Sequence, residues 1–126
     1  MKFTPIDPPR AFDVGRGEPI QLKDCGRLEL APDEQVTFVT ASGAEYDVTR
    51  KSWGFYATPS LNGRLARFGL RGALIKSPPG KYYVVLVERG QEAGLQRYLD
   101  VEGHRIVAWL DSDEALAKLE RGVNAP

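Results

Sequence analysis

The sequence predicts an α+β fold with one mainly antiparallel sheet of about six or seven strands and two or three helices packed on one side. Two observations carry this prediction. Residues 20–58 contain alternating apolar and polar segments separated by short turn sequences, which is typical of an antiparallel meander. After residue 59, further strand-like segments are interleaved with stretches of helical periodicity.

The first half of this pattern predicts consecutive short strands. Residues 27–30 alternate and are followed by a proline-containing turn. Residues 35–40 alternate again and are rich in β-branched and aromatic side chains. The Ala-Ser-Gly-Ala sequence at 41–44 is a hairpin signal before a strand over residues 45–49. Residues 55–58 add one more short strand.

The second half predicts helices and strands in alternation. The expected elements are a short helix over 60–69, a hairpin over 70–88, a helix over 91–102 ended by Gly103, a strand over 105–110, and a last helix capped by Asp111 or Ser112. Residues 82–87 are continuously apolar. A run of this kind is typical of a central strand covered on both faces.

The 126 residues are expected to form one domain. Residues 20–122 contain the predicted strands and helices, and residues 123–126 are a tail. Residues 1–19 are predicted to be an irregular N-terminal arm, because four prolines and two glycines interrupt regular elements there. The apolar residues of the arm could pin it against this subunit or a neighbouring one.

Composition excludes several classes of protein. The longest apolar run, residues 82–87, is too short to span a membrane, and the N-terminus lacks the apolar region of a signal peptide. A single cysteine, Cys25, excludes an internal disulfide, and with one histidine, His104, it cannot build a Cys/His zinc site. Nothing around either residue marks an activated Cys–His pair. We expect a cytoplasmic protein without metal or cofactor.

Charge is partitioned along the chain although the 17 acidic and 17 basic residues cancel. Residues 48–87 contain no Asp or Glu but carry seven bases: Arg50, Lys51, Arg64, Arg67, Arg71, Lys76 and Lys81. Blocks of one sign create a local potential that net charge conceals. Either the acidic flanks fold back and neutralise this stretch, or it forms an electropositive face for a phosphate, a carboxylated sugar or another anion.

Basic and aromatic residues are concentrated between residues 47 and 67. The candidate ligand-binding residues are Arg50, Lys51, Trp53, Tyr56, Ser60, Asn62, Arg64 and Arg67. Basic side chains and a helix start near Ser60 would bind an anion, and the aromatic rings would stack on a sugar. The alternative is structural: Trp53 and Phe55 are core residues, Ser60 caps a helix and Asn62 is solvated.

An acid–base pair is a second candidate site. Glu45 and Asp47 are two residues apart on a predicted strand, so their side chains lie on one face. Paired carboxylates can do acid–base chemistry, and Tyr56 could assist. The alternative is a solvated strand face. Whether the protein is an enzyme stays open.

Three stretches carry a resemblance to a known family. They are EYDVTRKSWGFYATPSLNGRL at 45–65, GKYYV at 80–84 and Trp109-Leu110. This sequence resembles a small bacterial family of uncharacterised proteins encoded in surface-polysaccharide (O-antigen-type) biosynthesis loci, over about residues 19–111. The resemblance implies a context of sugar nucleotides, glycosyl or methyl transfer, or partner proteins. It implies no fold, activity or catalytic residue.

Three hypotheses follow for function. The first is a small cytoplasmic accessory protein of glycan biosynthesis that binds an anionic sugar or sugar nucleotide on the basic-aromatic segment. The second is a homo-oligomeric interaction module that docks onto a pathway enzyme. The third is a sugar-modifying enzyme that uses Glu45 or Asp47. We do not expect nucleic acid as a partner, because net charge is zero and no RNP or KH signature occurs.

Overall fold

The computed structural model describes residues 1–125 and confirms the α+β class. The strands are β1 (Lys2–Val14), β2 (Ile20–Glu29), β3 (Gln35–Val39), β4 (Glu45–Lys51), β5 (Gly54–Ala57), β6 (Leu70–Lys76), β7 (Tyr82–Glu88) and β8 (Arg105–Trp109). The helices are α1 (Arg64–Arg67), α2 (Glu92–Glu102) and α3 (Asp113–Val123). The prediction of one sheet with six or seven strands is wrong, because the strands form three separate antiparallel sheets of two, three and three strands.

The first sheet is a two-stranded ribbon of β1 and β2, hereafter the ribbon. It corrects the prediction of an irregular arm over residues 1–19, since residues 2–14 are a strand. The pairing shifts register between Pro5 and Arg10, and Pro8 and Pro9 fall inside this irregularity. Proline is tolerated where a strand has no ladder bond to donate. The prolines therefore interrupt the pairing of β1 with β2 locally, and the strand continues after them.

The second sheet has the order β3-β4-β5 and follows the predicted meander. β3 and β4 meet at a tight turn in which Gly43 has φ +98°, a conformation that favours glycine. β4 then pairs with β5, and Arg50 lies opposite Phe55. This register sets one basic and one aromatic side chain next to each other.

The third sheet has the order β7-β6-β8, so β6 is its central strand. This corrects the prediction that residues 82–87 form a central strand covered on both faces. β7 is an edge strand, and its residues Tyr82, Tyr83 and Val84 are exposed. The apolar run is real, but only its later residues, such as Val87, are buried.

The core lies where the second and third sheets meet. One cluster there has the buried members Ala44, Leu65 and Leu70, with Tyr46, Leu61 and Leu86 packed around them. The other buried apolar residues are Ala73, Ile75, Val87 and Leu99. The Glu45 amide donates to the carbonyl of Phe68 at 3.0 Å and joins β4 to the residues after α1. Burial raises the pKa of the Tyr46 phenol. The two sheets are therefore joined by a small apolar cluster.

The end of α2 and the start of α3 are as predicted, whereas α3 extends one residue into the predicted tail and the first helix is shorter than predicted. α1 covers four residues of the stretch 60–69. Gly103 ends α2 in the left-handed region at φ +71°, and the Ser112 hydroxyl accepts the Ala115 amide to cap α3. None of the helices in the described residues is long and apolar enough to cross a membrane. The predicted tail begins at the last helical residue, Val123, and Pro126 lies outside the described residues.

Candidate functional site

A cleft opens between the base of the ribbon and the β3-β4-β5 sheet. It has a volume of about 380 Å³ and is lined by Lys2, Thr4, Arg27, Leu28, Glu29, Leu30, Arg50 and Phe55. An adjoining hollow of about 510 Å³ shares Lys2, Glu29, Leu30 and Arg50 with it. The two form a continuous groove, hereafter the basic cleft.

The ribbon supplies one wall of the basic cleft. Lys2 lies opposite Glu29, and Thr4 lies opposite Arg27. Alternate residues of a strand share a face, so these four side chains lie on one face of the ribbon. Two cations, one hydroxyl and one carboxylate are therefore presented together.

The β4-β5 hairpin supplies the other wall. The backbone of Arg50 is held on both sides, because its amide donates to the Glu34 carbonyl at 2.9 Å and its carbonyl accepts the Asp33 amide at 2.6 Å. Its guanidinium donates to the Gly54 carbonyl at 3.4 Å and lies 5.9 Å from the centre of the Phe55 ring. The charged group and the ring thus face the cleft side by side.

The lining of the basic cleft carries more positive than negative charge. Within residues 1–125, Lys2, Arg27 and Arg50 form no ion pair. Glu29 is the one carboxylate in the lining, against three cations. A concave surface with surplus positive charge attracts anions.

The N-terminus is fixed beside this groove. The Met1 ammonium pairs with Glu34 at 3.0 Å. The Ala31 backbone N–H and then the ammonium group hold the pKa of Glu34 below its ordinary value. Glu34 therefore stays ionised at neutral pH and ties the first residue of the chain to the loop after β2.

The predicted ligand-binding residues on the β4-β5 hairpin separate into two groups. Arg50 lies in the basic cleft, whereas Lys51 pairs with Asp33 at 2.6 Å. Trp53 and Tyr56 are exposed and meet edge to face, with ring centres 6.4 Å apart. Neither ring lines the basic cleft; the aromatic wall there is Phe55.

The predicted residues around α1 mostly contact the protein itself. The Ser60 hydroxyl accepts the Arg64 amide at 2.9 Å, and the Asn62 amide donates to Asp113 at 2.6 Å. Arg64 pairs with Asp47 at 3.2 Å, and its guanidinium lies over the Phe68 ring. Arg67 is exposed and lines a separate hollow near β7. The structure does not bring these four residues together with Arg50.

The candidate acid–base residues differ in environment. Asp47 is 6% exposed and accepts hydrogen bonds from Thr37 at 2.7 Å and Arg64 at 3.2 Å. Glu45 is exposed, and Tyr56 lies opposite Thr49, two residues along β4 from Asp47. A carboxylate that is satisfied by two donors inside the fold is suited to holding β3, β4 and α1 together.

Cys25 and His104 lie in separate environments. Cys25 is exposed on β2. The His104 ring is half-buried, with its centre 6.5 Å from that of Tyr83 and 6.1 Å from that of Tyr98. No cluster of His, Cys, Asp and Glu in the described residues could hold a metal ion.

Sequence reasoning missed two cations of the basic cleft, Lys2 and Arg27. They precede the acid-free stretch, and Lys2 falls in the segment predicted to be irregular. The one sequence pattern that points to Arg27 is its alternation with Glu29 in a strand-like segment, which places both side chains on one face.

Comparisons of this chain with models of protein families, with curated proteins and with solved structures identify no match.

Proposed function

We propose that this protein is a small binding protein for a sugar that carries a phosphate or carboxylate group, and that the basic cleft is its binding site. The observation that carries the proposal is the convergence on one concave surface of three cations that form no ion pair with any of residues 1–125. Arginine and lysine bind phosphate and carboxylate through charge-assisted hydrogen bonds.

The remaining lining residues favour a sugar over a simple anion. Glu29 accepts hydrogen bonds when ionised, and the Thr4 hydroxyl both donates and accepts. The Phe55 ring offers an apolar surface for the C–H face of a sugar ring. Cations for the charged group, polar groups for hydroxyls and a ring for the apolar face are together what an anionic sugar requires.

An accessory role in glycan biosynthesis is part of this proposal. It is the context implied by the resemblance of residues 45–65, and Arg50 and Phe55 of the basic cleft lie in that stretch. In this role the protein would hold or deliver a sugar nucleotide to another component and would not itself transform it.

The proposal is tested by calorimetric titration with three probes: UDP-glucose, N-acetylneuraminate and inorganic phosphate. Arg27→Gln removes one cation of the cleft and should weaken binding about tenfold or more, because a charge-assisted hydrogen bond contributes roughly 1.5–3 kcal/mol. The matched control is Arg105→Gln, which removes an exposed arginine from β8, outside the cleft.

Two results would overturn the proposal. One is the absence of binding by all three probes at millimolar concentration. The other is an equal affinity of the Arg27 and Arg105 variants for the probe that binds. If phosphate binds as tightly as the two sugar probes, the basic cleft is an anion site that does not recognise the sugar.

A further inference from the structure

The ribbon carries apolar cross-strand pairs that stay partly exposed in their own subunit, although the Arg10 guanidinium lies over the Phe12 ring at 4.8 Å. Phe3 lies opposite Leu28, and Phe12 lies opposite Leu22. Their exposed fractions are 56%, 38%, 36% and 44%. Leu22 and Leu28 are six residues apart along β2, which corresponds to about 20 Å, so these side chains form a strip. An isolated two-stranded hairpin is marginally stable in water, and this one exposes apolar residues that would stabilise it if buried.

The ribbon is fastened to its own subunit mainly at its ends. At the base, Met1 pairs with Glu34. At the tip, Glu102 of α2 accepts the amides of Arg16 and Gly17 at 2.6 and 3.2 Å. The tip lies so close to α2 that a Cβ on Gly17 would be 2.6 Å from a backbone carbonyl oxygen. Fixed ends hold the strip in place and leave its middle open to a partner.

The accessible surface of the chain is larger than that of a compact monomer of its mass. It is 9021 Å², whereas a compact monomer of this mass exposes about 6,700 Å². The difference is about 2,300 Å², which lies at the upper end of the area that one subunit buries in an obligate dimer, roughly 1,000–2,500 Å². A surface of this size matches a second subunit better than a small ligand.

We propose that the apolar strip formed by Phe3, Phe12, Leu22 and Leu28 packs against a second copy of this chain. A symmetric dimer requires a patch that is complementary to itself, and an apolar strip satisfies this condition without matching charges. The chain is formally neutral, so two copies do not repel each other through net charge.

Association and ligand binding use different faces of the ribbon at its base. Phe3 and Leu28 alternate with Lys2, Thr4, Arg27 and Glu29 along the two strands, so the two sets of side chains point to opposite faces. Of the four strip residues, Leu28 alone also lines the basic cleft. The dimer therefore leaves the charged wall of the cleft accessible, and the two proposals can fail independently.

The test is the mass of the protein in solution by sedimentation equilibrium. The wild type should have twice the monomer mass at about 100 µM, which is a hundred times the dissociation constant of a micromolar dimer. Leu22→Arg should shift the protein to monomer, because it would bury a charge without a partner. Gln21→Arg is the matched control: it is the neighbouring exposed residue on the opposite face of β2, and it should remain dimeric.

The proposal is overturned if the wild type is monomeric. It is also overturned if Leu22→Arg and Gln21→Arg have the same mass in solution. Circular dichroism confirms that each variant folds, and Phe12→Glu repeats the test on β1 if Leu22→Arg does not fold. The calorimetric probe serves as an independent readout. Leu22→Arg should bind it like the wild type, while Arg27→Gln should remain dimeric.

Discussion

The ribbon and the β7-β6-β8 sheet are built from the same antiparallel pairing, but they differ in what their apolar side chains contact. In the three-stranded sheet the central strand has neighbours on both edges, and Ala73 and Ile75 are 0% and 2% exposed. In the ribbon the corresponding apolar residues, such as Ile20 and Leu22, are 39% and 44% exposed. Strand pairing alone therefore does not bury a face; a second layer packed onto the sheet does.

The first prediction tests this difference with the same substitution in both regions. Ile75→Ala should lower the free energy of unfolding by about 2–5 kcal/mol, because it leaves a cavity in a packed core. Ile20→Ala should cost about 1 kcal/mol or less in the monomer, because the side chain is already partly in water. Urea unfolding at low protein concentration measures both changes. Equal losses would show that the ribbon is packed as tightly as the sheet.

The contrast also explains which elements the sequence predicts correctly. The hairpin over residues 70–88, the helix ended by Gly103 and the helix capped by Ser112 are confirmed, because turns and caps are set by neighbouring residues. The ribbon depends on pairing β1 with β2 through a register shift, and no local signal encodes that. The edge position of β7 depends on which strands flank β6, so its apolar run was insufficient evidence for burial.

The residues of the candidate site also divide into those that local sequence predicts and those that only long-range strand pairing brings together. Arg50 is predicted from the basic-aromatic segment, because charge and aromatic content can be counted along the chain. Lys2 and Arg27 could not be assigned to the same site, because they reach it only after β1 pairs with β2 and the ribbon base lies beside β4. Conversely, Arg64 and Asn62 looked free in the sequence but meet Asp47 and Asp113 in the fold.

The second prediction concerns an ionic cluster in the β7-β6-β8 sheet. Its counterpart on the ribbon is more exposed: there Arg10 lies over the Phe12 ring at 4.8 Å and pairs with Asp24 at 3.4 Å. Arg71 of β6 stacks over the Trp109 ring of β8 at 3.9 Å. Its guanidinium donates to Asp111 at 2.6 Å and to Glu92 at 3.2 Å. The hydrogen bond from Arg71 is the main cause that lowers the pKa of Asp111 from its ordinary value of 3.8.

A lowered carboxyl pKa gives a defined pH dependence. The stabilisation is present above the unfolded pKa and is lost as the pH falls through the lower folded pKa, because the unfolded chain then binds the proton more tightly. Arg71→Gln should therefore cost about 2 kcal/mol at pH 7, with both Arg71 and Asp111 largely buried. The difference from the wild type should shrink as the pH falls below about 3.8.

Thermal unfolding of the wild type and the Arg71 variant across pH 2–7 measures this effect, in roughly the range where carboxyl groups titrate. Arg71→Lys is the control, because it keeps the charge but loses the planar fork that matches Asp111 and stacks on Trp109. A pH-independent difference between wild type and Arg71→Gln would mean that stacking, and not the ion pair, is the contribution that matters.

The third prediction concerns the tip of the ribbon and has the smallest expected effect. Glu102→Gln keeps an acceptor for the Arg16 and Gly17 amides but removes its charge, and hydrogen bonds to charged groups are stronger than neutral ones by about 1 kcal/mol. Exchange of these two amides with solvent should therefore accelerate about fivefold. Global stability should change little, because the rest of the fold does not depend on the tip.

Amide hydrogen exchange read by NMR separates this local effect from a global one. Asp100→Asn is the matched control, because Asp100 is exposed on the same helix and accepts from Gln96, not from the ribbon. If amides of β6 exchange faster along with those of Arg16 and Gly17, the tip is coupled to the core and the ribbon is not a separate unit. If only the Arg16 and Gly17 amides respond, the tip opens locally while the β7-β6-β8 sheet stays folded.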